Sequence, residues 1–277
     1  MDDGVSATSS ASAGTTRVGA TQYPPGRARL ATRRRGVYDR VVDVIGEQIV
    51  TGTIPVGTTL FVEQICADLD ISRSVVREGV RTLSSMGLVE SRPQRGTRVL
   101  PRQEWDLLHP RVVHWRGEGP EYLQQMYELL ELRLGIEHAA AHFAAERMDE
   151  AQRAAVVAAG QQMEQAYAEH DPHRFFEADA ELHRLILEGS QNALIAQFAD
   201  TVMTSLNIRG TAASRSYSTA ESLDSESARR HRELAEAVAA GEPEAAQRAS
   251  AEIMFATRAE VSALLDRRKR ANRPSAP

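Results

Sequence analysis

Apolar positions first settle into a helical period after Gly36, where Val37, Val41, Val44, Ile45 and Ile49 share one stripe. The stretch "TGTIPVGTTL", residues 51–60, interrupts it with Gly and Pro and predicts a turn leading into a short extended segment. Val62, Ile65, Cys66 and Leu69 predict a second short helix, with Cys66 as a small core residue. A third helix starts after Ser72, a residue type that caps helix N-termini, and buries Val76, Val80 and Leu83. Gly87 stands where a left-handed C-terminal cap belongs, with Leu88 behind it to pack back. "LVESRP" and "TRVL", separated by "QRG", predict two strands joined by a turn containing Gly96. Three short helices and a basic hairpin are the outline of a winged helix-turn-helix.

Residues 102–118 mix Pro, Gly and both tryptophans and are read as a linker, with Trp105 and Trp115 as packing anchors. From Gly119 onward the period is helical throughout. Breaks near Asp149 and at residues 170–172, 189–192, 210–214 and 241–243 divide it into about six helices of an all-α bundle. The fold class is therefore mainly α, an N-terminal winged helix-turn-helix plus a C-terminal helical bundle. The expected organisation is a disordered tail over 1–34, a winged helix-turn-helix domain over 35–101, the linker over 102–118, an all-helical domain over 119–267, and a second tail over 268–277.

Composition narrows the setting. The chain of 277 residues has one cysteine, which excludes an intramolecular disulfide framework. No apolar run is long enough to span a bilayer, and the first thirty residues lack a signal pattern, so a cytoplasmic protein with no membrane partner is expected. Net charge is −5 over the whole chain, yet the first hundred residues hold 13 arginines against 10 carboxylates. A basic module on an acidic body binds a polyanion without making the whole protein sticky.

The cations have a pattern. Arg73, Arg77 and Arg81 recur every four residues, which at about 100° per residue gathers them on one face, away from Val76, Val80 and Leu83. Ser72 and Ser74 beside them leave room for phosphates and base edges at the helix start. Arg92, Arg95 and Arg98 on the hairpin add a second cationic surface, where Gly96 lets the backbone approach a groove. The bland alternative is a solvated helix face, but only Glu78 and Glu90 lie near enough in sequence to neutralise these arginines.

The helical half carries polar residues on apolar faces. Phe175, Leu182 and Ile186 define an inward stripe that also holds Asp179 and His183. His231 shares a face with Leu234 and Val238, and Arg133 lies among Leu129, Leu132, Ile136 and Ala140. Unpaired burial costs about 2–7 kcal/mol per polar group. These four residues therefore satisfy one another or bind a metal or an anionic ligand between facing helices. No Ser/His/Asp or Cys/His set, phosphate-cradling Gly loop or H-E-x-x-H accompanies them, so a metal-dependent helical enzyme is the weaker alternative.

"LDISRSVVREGVRTLSSMGLVESRPQRGTRVLP" resembles the winged-helix domain of GntR-family transcription regulators. The resemblance implies DNA contacts from Ser72, Arg73, Ser74 and Arg77, with Arg95 and Gly96 at the wing. Such regulators often carry Arg at the start of the second helix, where this chain has Glu63 and Gln64. "ELRLGIEHAAAHFAAER", "FEADAELHRLI", "GSQNALI" and "HRELAEAVAAGEPEAA" resemble the FCD effector domain of the FadR subfamily. There an Asp and three His commonly bind a divalent metal that receives a small carboxylate. Asp179, His183 and His231 match three of the positions, and Ile253 stands at the fourth. The resemblance implies Zn, Ni or Mn at these residues, with Arg133 chosen for the effector carboxylate because its planar fork matches that group. The linker resembles that of galactonate- and gluconate-type regulators. The implied protein is a homodimeric repressor that leaves an inverted-repeat double-stranded DNA operator when a sugar acid binds. A response to another carboxylate or to acyl-CoA is the alternative.

Overall fold

The computed structural model describes residues 36–92, 96–215 and 225–271. The N-terminal half orders as α1 (Val37–Val50), β1 (Thr59–Leu60), α2 (Val62–Leu69), α3 (Arg73–Ser85), β2 (Val89–Arg92) and β3 (Gly96–Val99). The strands form an antiparallel sheet in the order β1-β3-β2, with Arg98 opposite both Thr59 and Glu90. Val41, Val42, Ile45, Val76, Leu83, Leu88 and Val99 fill the core between helices and sheet. Gly87 takes φ +72°, its N–H bonds Ser84 O, and Leu88 N–H returns to Leu83 O, closing α3 as the sequence predicts. Any side chain there would also collide with the Glu104 carbonyl, 1.9 Å from where its Cβ would sit.

The stretch read as a linker is largely structured. A 3₁₀ turn (Arg102–Glu104) precedes helix α4 (Pro110–Gly117). Pro110 starts this helix rather than breaking it, because a helix's first residue needs no N–H donor, and His109 caps it by accepting from Arg111 N–H. Helix α4 packs on both halves. Trp115, 2% exposed, presses its ring on Gly46 of α1, and Arg111 pairs with Asp39 and Asp43 of the same helix. On the other side Val113 O accepts from Gln125 Nε2 at 2.7 Å, and Arg116 pairs with Glu128 at 2.7 Å. Trp105 is anchored through its indole N–H to Leu100 O.

Seven helices follow among the described residues: α5 (Tyr122–Arg147), α6 (Glu150–Ala168), α7 (Pro172–Gly189), the single turn α8 (Ala193–Ala196), α9 (Ala199–Arg215), α10 (Ser225–Ala240) and α11 (Pro243–Ala271). Asp149 and Gln152 close a capping box on α6, and Asp171 caps α7 ahead of Pro172. One expected break is absent: residues 210–214 continue α9. Gly210 is small there because α7 passes close, Phe176 Cβ lying 2.9 Å from a would-be Cβ. Helix α11 runs to Ala271, beyond the residue where the sequence reading starts its tail. The N-terminal tail, residues 1–34, lies outside the described residues, as do residues 272–277.

Candidate functional site

Two sites emerge at opposite halves. On α3 the arginines stand away from the Val76, Val80 and Leu83 core, as the spacing predicts. Ser72 precedes the helix without a side-chain cap bond; its hydroxyl instead lies 3.1 Å from that of Ser74. Arg73 is 68% exposed, with Glu63 of α2 3.9 Å from its guanidinium, a neighbour the sequence reading did not pair with it. Arg81 pairs with Glu78 one turn away. Arg77 makes no ion pair among the described residues. Its charge is therefore available to a partner. Arg95 lies outside the described residues. Gly96 has φ +79°, and a Cβ there would meet Thr59 Cγ2 at 2.7 Å, so glycine is required by the strand packing itself.

The second site joins α5, α7 and α10. Asp179 and His183 lie one turn apart on α7, and the phase of α10 turns His231 toward them; the three are 2–4% exposed. One oxygen of Asp179, Oδ1, lies 3.0 Å from His231 Nε2 and 3.2 Å from His183 Nε2. Neither approach is aligned as a hydrogen bond, so this buried oxygen is unsatisfied. The ligand atoms of the three residues all fall within 4.8 Å of one another. The outer ring nitrogens are held separately. His231 Nδ1 meets Ser227 O at 2.6 Å, and His183 Nδ1 faces Glu137 Oε2 on α5. A carbonyl or carboxylate can only accept, so each Nδ1 carries a proton, and a ring that gives up its Nε2 proton would present that atom as a metal donor beside Asp179. Three donors converging with their rings oriented from behind fit a divalent cation such as Zn, Ni or Mn. Ile253, 3% exposed on α11, contributes no fourth ligand.

Arg133 is 4% exposed and reaches this network through Glu137, which its Nε engages. Its Nη2 has no partner and is buried. A groove between α5 and α9 is lined by Arg133, Leu129, Leu132, Phe198, Thr201 and Ser205. Glu137 is the residue the sequence reading missed. The apolar stripe of α5 was phased through Leu132 and Ile136, whereas the buried face runs through Met126, Leu130, Arg133, Glu137, Ala140 and Ala144. Leu132 is 36% exposed. The available signal was the four-residue step from an inward Arg133 to a carboxylate.

Charge in this core is strongly coupled. Burial would raise the Glu137 carboxyl, but the Arg133 and His183 charges outweigh it and hold the group at about 2. Burial likewise opposes ionisation of Asp179, and His231 and His183 reverse this, keeping it well below the ordinary range. His183 is depressed by burial, yet Glu137 and Asp179 lift it to about 9. Without a metal the pocket thus holds its charge as internal ion pairs.

Comparison with known proteins follows this division. Residues 37–99 match the family model "Bacterial regulatory proteins, gntR family", and residues 128–256 match "FCD domain". The Escherichia coli (strain K12) "Galactonate operon transcriptional repressor" is 32% identical over 162 residues, 58% of this chain and 70% of that protein. A "Probable D-xylose utilization operon transcriptional repressor" of Paenarthrobacter nicotinovorans is 28% identical over 216 residues, 78% of this chain and 84% of that protein. The solved structure of Lar, which controls expression of the Listeria monocytogenes agr system, has TM-score 0.56 at 17% identity, covering 83% of this chain and 98% of that one. This last likeness shows the fold alone.

Proposed function

Because the chain belongs to the GntR family of bacterial regulatory proteins and carries an FCD domain, it is a DNA-binding transcription regulator rather than an enzyme, and we propose that it represses its operon until a small organic acid binds the helical domain. Ser72, Arg73, Ser74, Arg77 and Arg81 meet the operator, α3 lying in the major groove with the wing of Arg95 and Gly96 beside it. A homodimer places two such heads on an inverted repeat, because protein two-fold symmetry is mirrored in the half-sites. The organisation expected from the sequence, with the α4 segment joining reader to sensor, and a cytoplasmic setting belong to the same reading.

The observation that carries the sensor is the unsatisfied Asp179 Oδ1 between two imidazoles, together with the unpartnered buried Nη2 of Arg133. Asp179, His183 and His231 would hold a divalent cation, which would supply Lewis-acid attraction for a carboxylate. Arg133 takes the same acid through its free Nη2. The galactonate repressor among the relatives makes a sugar acid the first class to test. Arg111 and Trp115 of α4 grip α1, while Arg116 grips Glu128 one turn before Leu132 and Arg133, so a shift of α5 reaches the DNA-binding half through α4. For useful control the two states differ in acid affinity by about 1–3 kcal/mol.

The test is a mobility shift on duplexes selected by the protein from a random pool, with galactonate and other aldonates titrated in, with and without chelator. Release by an aldonate, lost with chelator, is expected. Release that survives chelation would place the acid on Arg133 without metal. A protein that selects no sequence would overturn the reading.

A further inference from the structure

Formal charge in the buried site can be counted group by group. Asp179 and Glu137 bring two negative charges, and Arg133 brings one positive. The other buried arginine among the described residues, Arg116, is committed elsewhere, 2.7 Å from Glu128 at the start of the bundle. His183 and His231 must be neutral to donate through Nε2, because a protonated imidazole has no lone pair for a metal. A divalent cation held by Asp179, His183 and His231 therefore leaves one unbalanced positive charge, in a site where every member is at most 4% exposed. Charge buried without a counter-charge is strongly unfavourable. An anion must supply it.

We propose that Glu137 sets the charge of the effector: with Glu137 in place the loaded site is complementary to a monoanion, a single carboxylate on an otherwise neutral molecule, and not to a dicarboxylate. The inference rests on the metal and effector reading above and narrows it. The unpartnered Nη2 of Arg133 gives that carboxylate a buried donor, linked to the three residues through Glu137 and His183. Glu137 engages the same guanidinium through Nε, on the edge that Nη2 shares, so Arg133 has one N–H committed to the protein and those of Nη2 left for a ligand. The arrangement also makes metal and acid mutually reinforcing. Each neutralises what the other leaves uncompensated, so each raises the affinity of the other by the same factor.

Two matched pairs of probes test this by calorimetry on the full chain loaded with zinc: acetate against malonate, and galactonate against galactarate. Wild type is expected to prefer the monoanion of at least one pair, and zinc to strengthen its binding. Glu137→Gln, close to isosteric and neutral, is expected to shift that preference at least about ten-fold toward the dianion. Glu137→Asp restores the charge and is expected to restore the preference. Thermal unfolding of each variant confirms that it folds. A Gln variant that folds, binds zinc and keeps the wild-type ratio overturns this inference while leaving the effector reading intact, and so does a wild type that prefers the dianion. A wild type that binds zinc and none of the four anions counts against both, and one that binds no zinc removes the charge on which the count depends.

Discussion

Replacing Arg133 by Met removes half of an ion pair in which both side chains are at most 4% exposed. The carboxylate left behind keeps His183 but loses its larger electrostatic support. Glu137 is held at about 2 against an ordinary 4.5, a difference that at 1.36 kcal/mol per pH unit corresponds to about 3 kcal/mol. Arg133 comes ahead of His183 among the charges responsible, so its removal is expected to cost about 2–3 kcal/mol. For a chain of this size that lowers Tm by roughly 5–10 °C. The double variant Arg133→Met/Glu137→Leu takes away both charges, and apolar replacement of a whole buried pair is close to neutral. It should melt within about 3 °C of wild type, about 1 kcal/mol. The sign of the pH dependence is fixed as well. A depressed carboxylate contributes stability that is fully present above its unfolded pKa and lost as pH falls through about 2, so the gap between wild type and the single variant should narrow below pH 4. Calorimetric melts of wild type, Arg133→Met, Glu137→Leu and the double variant across pH 3 to 7 decide it. A single variant as stable as wild type, or a double variant whose loss is the sum of two large single losses, would refute the coupling.

Three other outcomes are expected. Arg77→Ala should weaken binding to a selected operator at least about ten-fold at moderate salt with oligomeric state unchanged, since one lost base or phosphate contact costs about 1–3 kcal/mol; equal anisotropy titrations would remove Arg77 from the interface. Glu63→Gln should tighten binding to a random duplex, because it takes a carboxylate away from the face that carries Arg73; weaker binding would mean that Glu63 positions that guanidinium. Gly46→Ala puts a Cβ 2.3 Å from the Trp115 ring, far inside contact distance, and should cost about 1–3 kcal/mol of overpacking and blunt the response of operator binding to an effector; a wild-type melt with a wild-type response would show that α4 does not depend on that contact.

The DNA-binding half was readable because its signals are local. A four-residue arginine step, a glycine at the end of α3 and turns on either side of short apolar runs each act within a few residues, and the structure places them as read. Failures came where a residue serves a distant neighbour. Gly210 looked like a helix stop and is instead the place where α9 meets Phe176 of α7. Pro110 looked like linker and opens a helix whose partners, Asp39 and Asp43, lie about seventy residues away in the chain. At the sensor site Asp179, His183 and His231 stood out because polar groups on a clear apolar stripe are anomalous. Glu137 did not, because a glutamate in a helix is by default solvent-facing and the α5 stripe, rich in alanine, leaves its phase ambiguous by one residue. Packing against α11 and α7 fixes that phase.

The arginines show why location in the sequence is a weaker guide than commitment of charge. Arg184 is taken up by Glu181 and Glu188, Arg229 by Glu226 and Glu233, each within a turn on its own helix, so these cations stabilise a surface and have little left to offer. Arg77 sits on an exposed helix face without such a partner among the described residues, and Arg133 sits in the core with Nε used and Nη2 free. A guanidinium left uncommitted loses an ion pair in solvent and costs desolvation in the interior. On the proposed function, an anion completes each of these two guanidinium groups: a duplex backbone outside, a single carboxylate within. Between the two halves lies helix α4, held by ion pairs to each side.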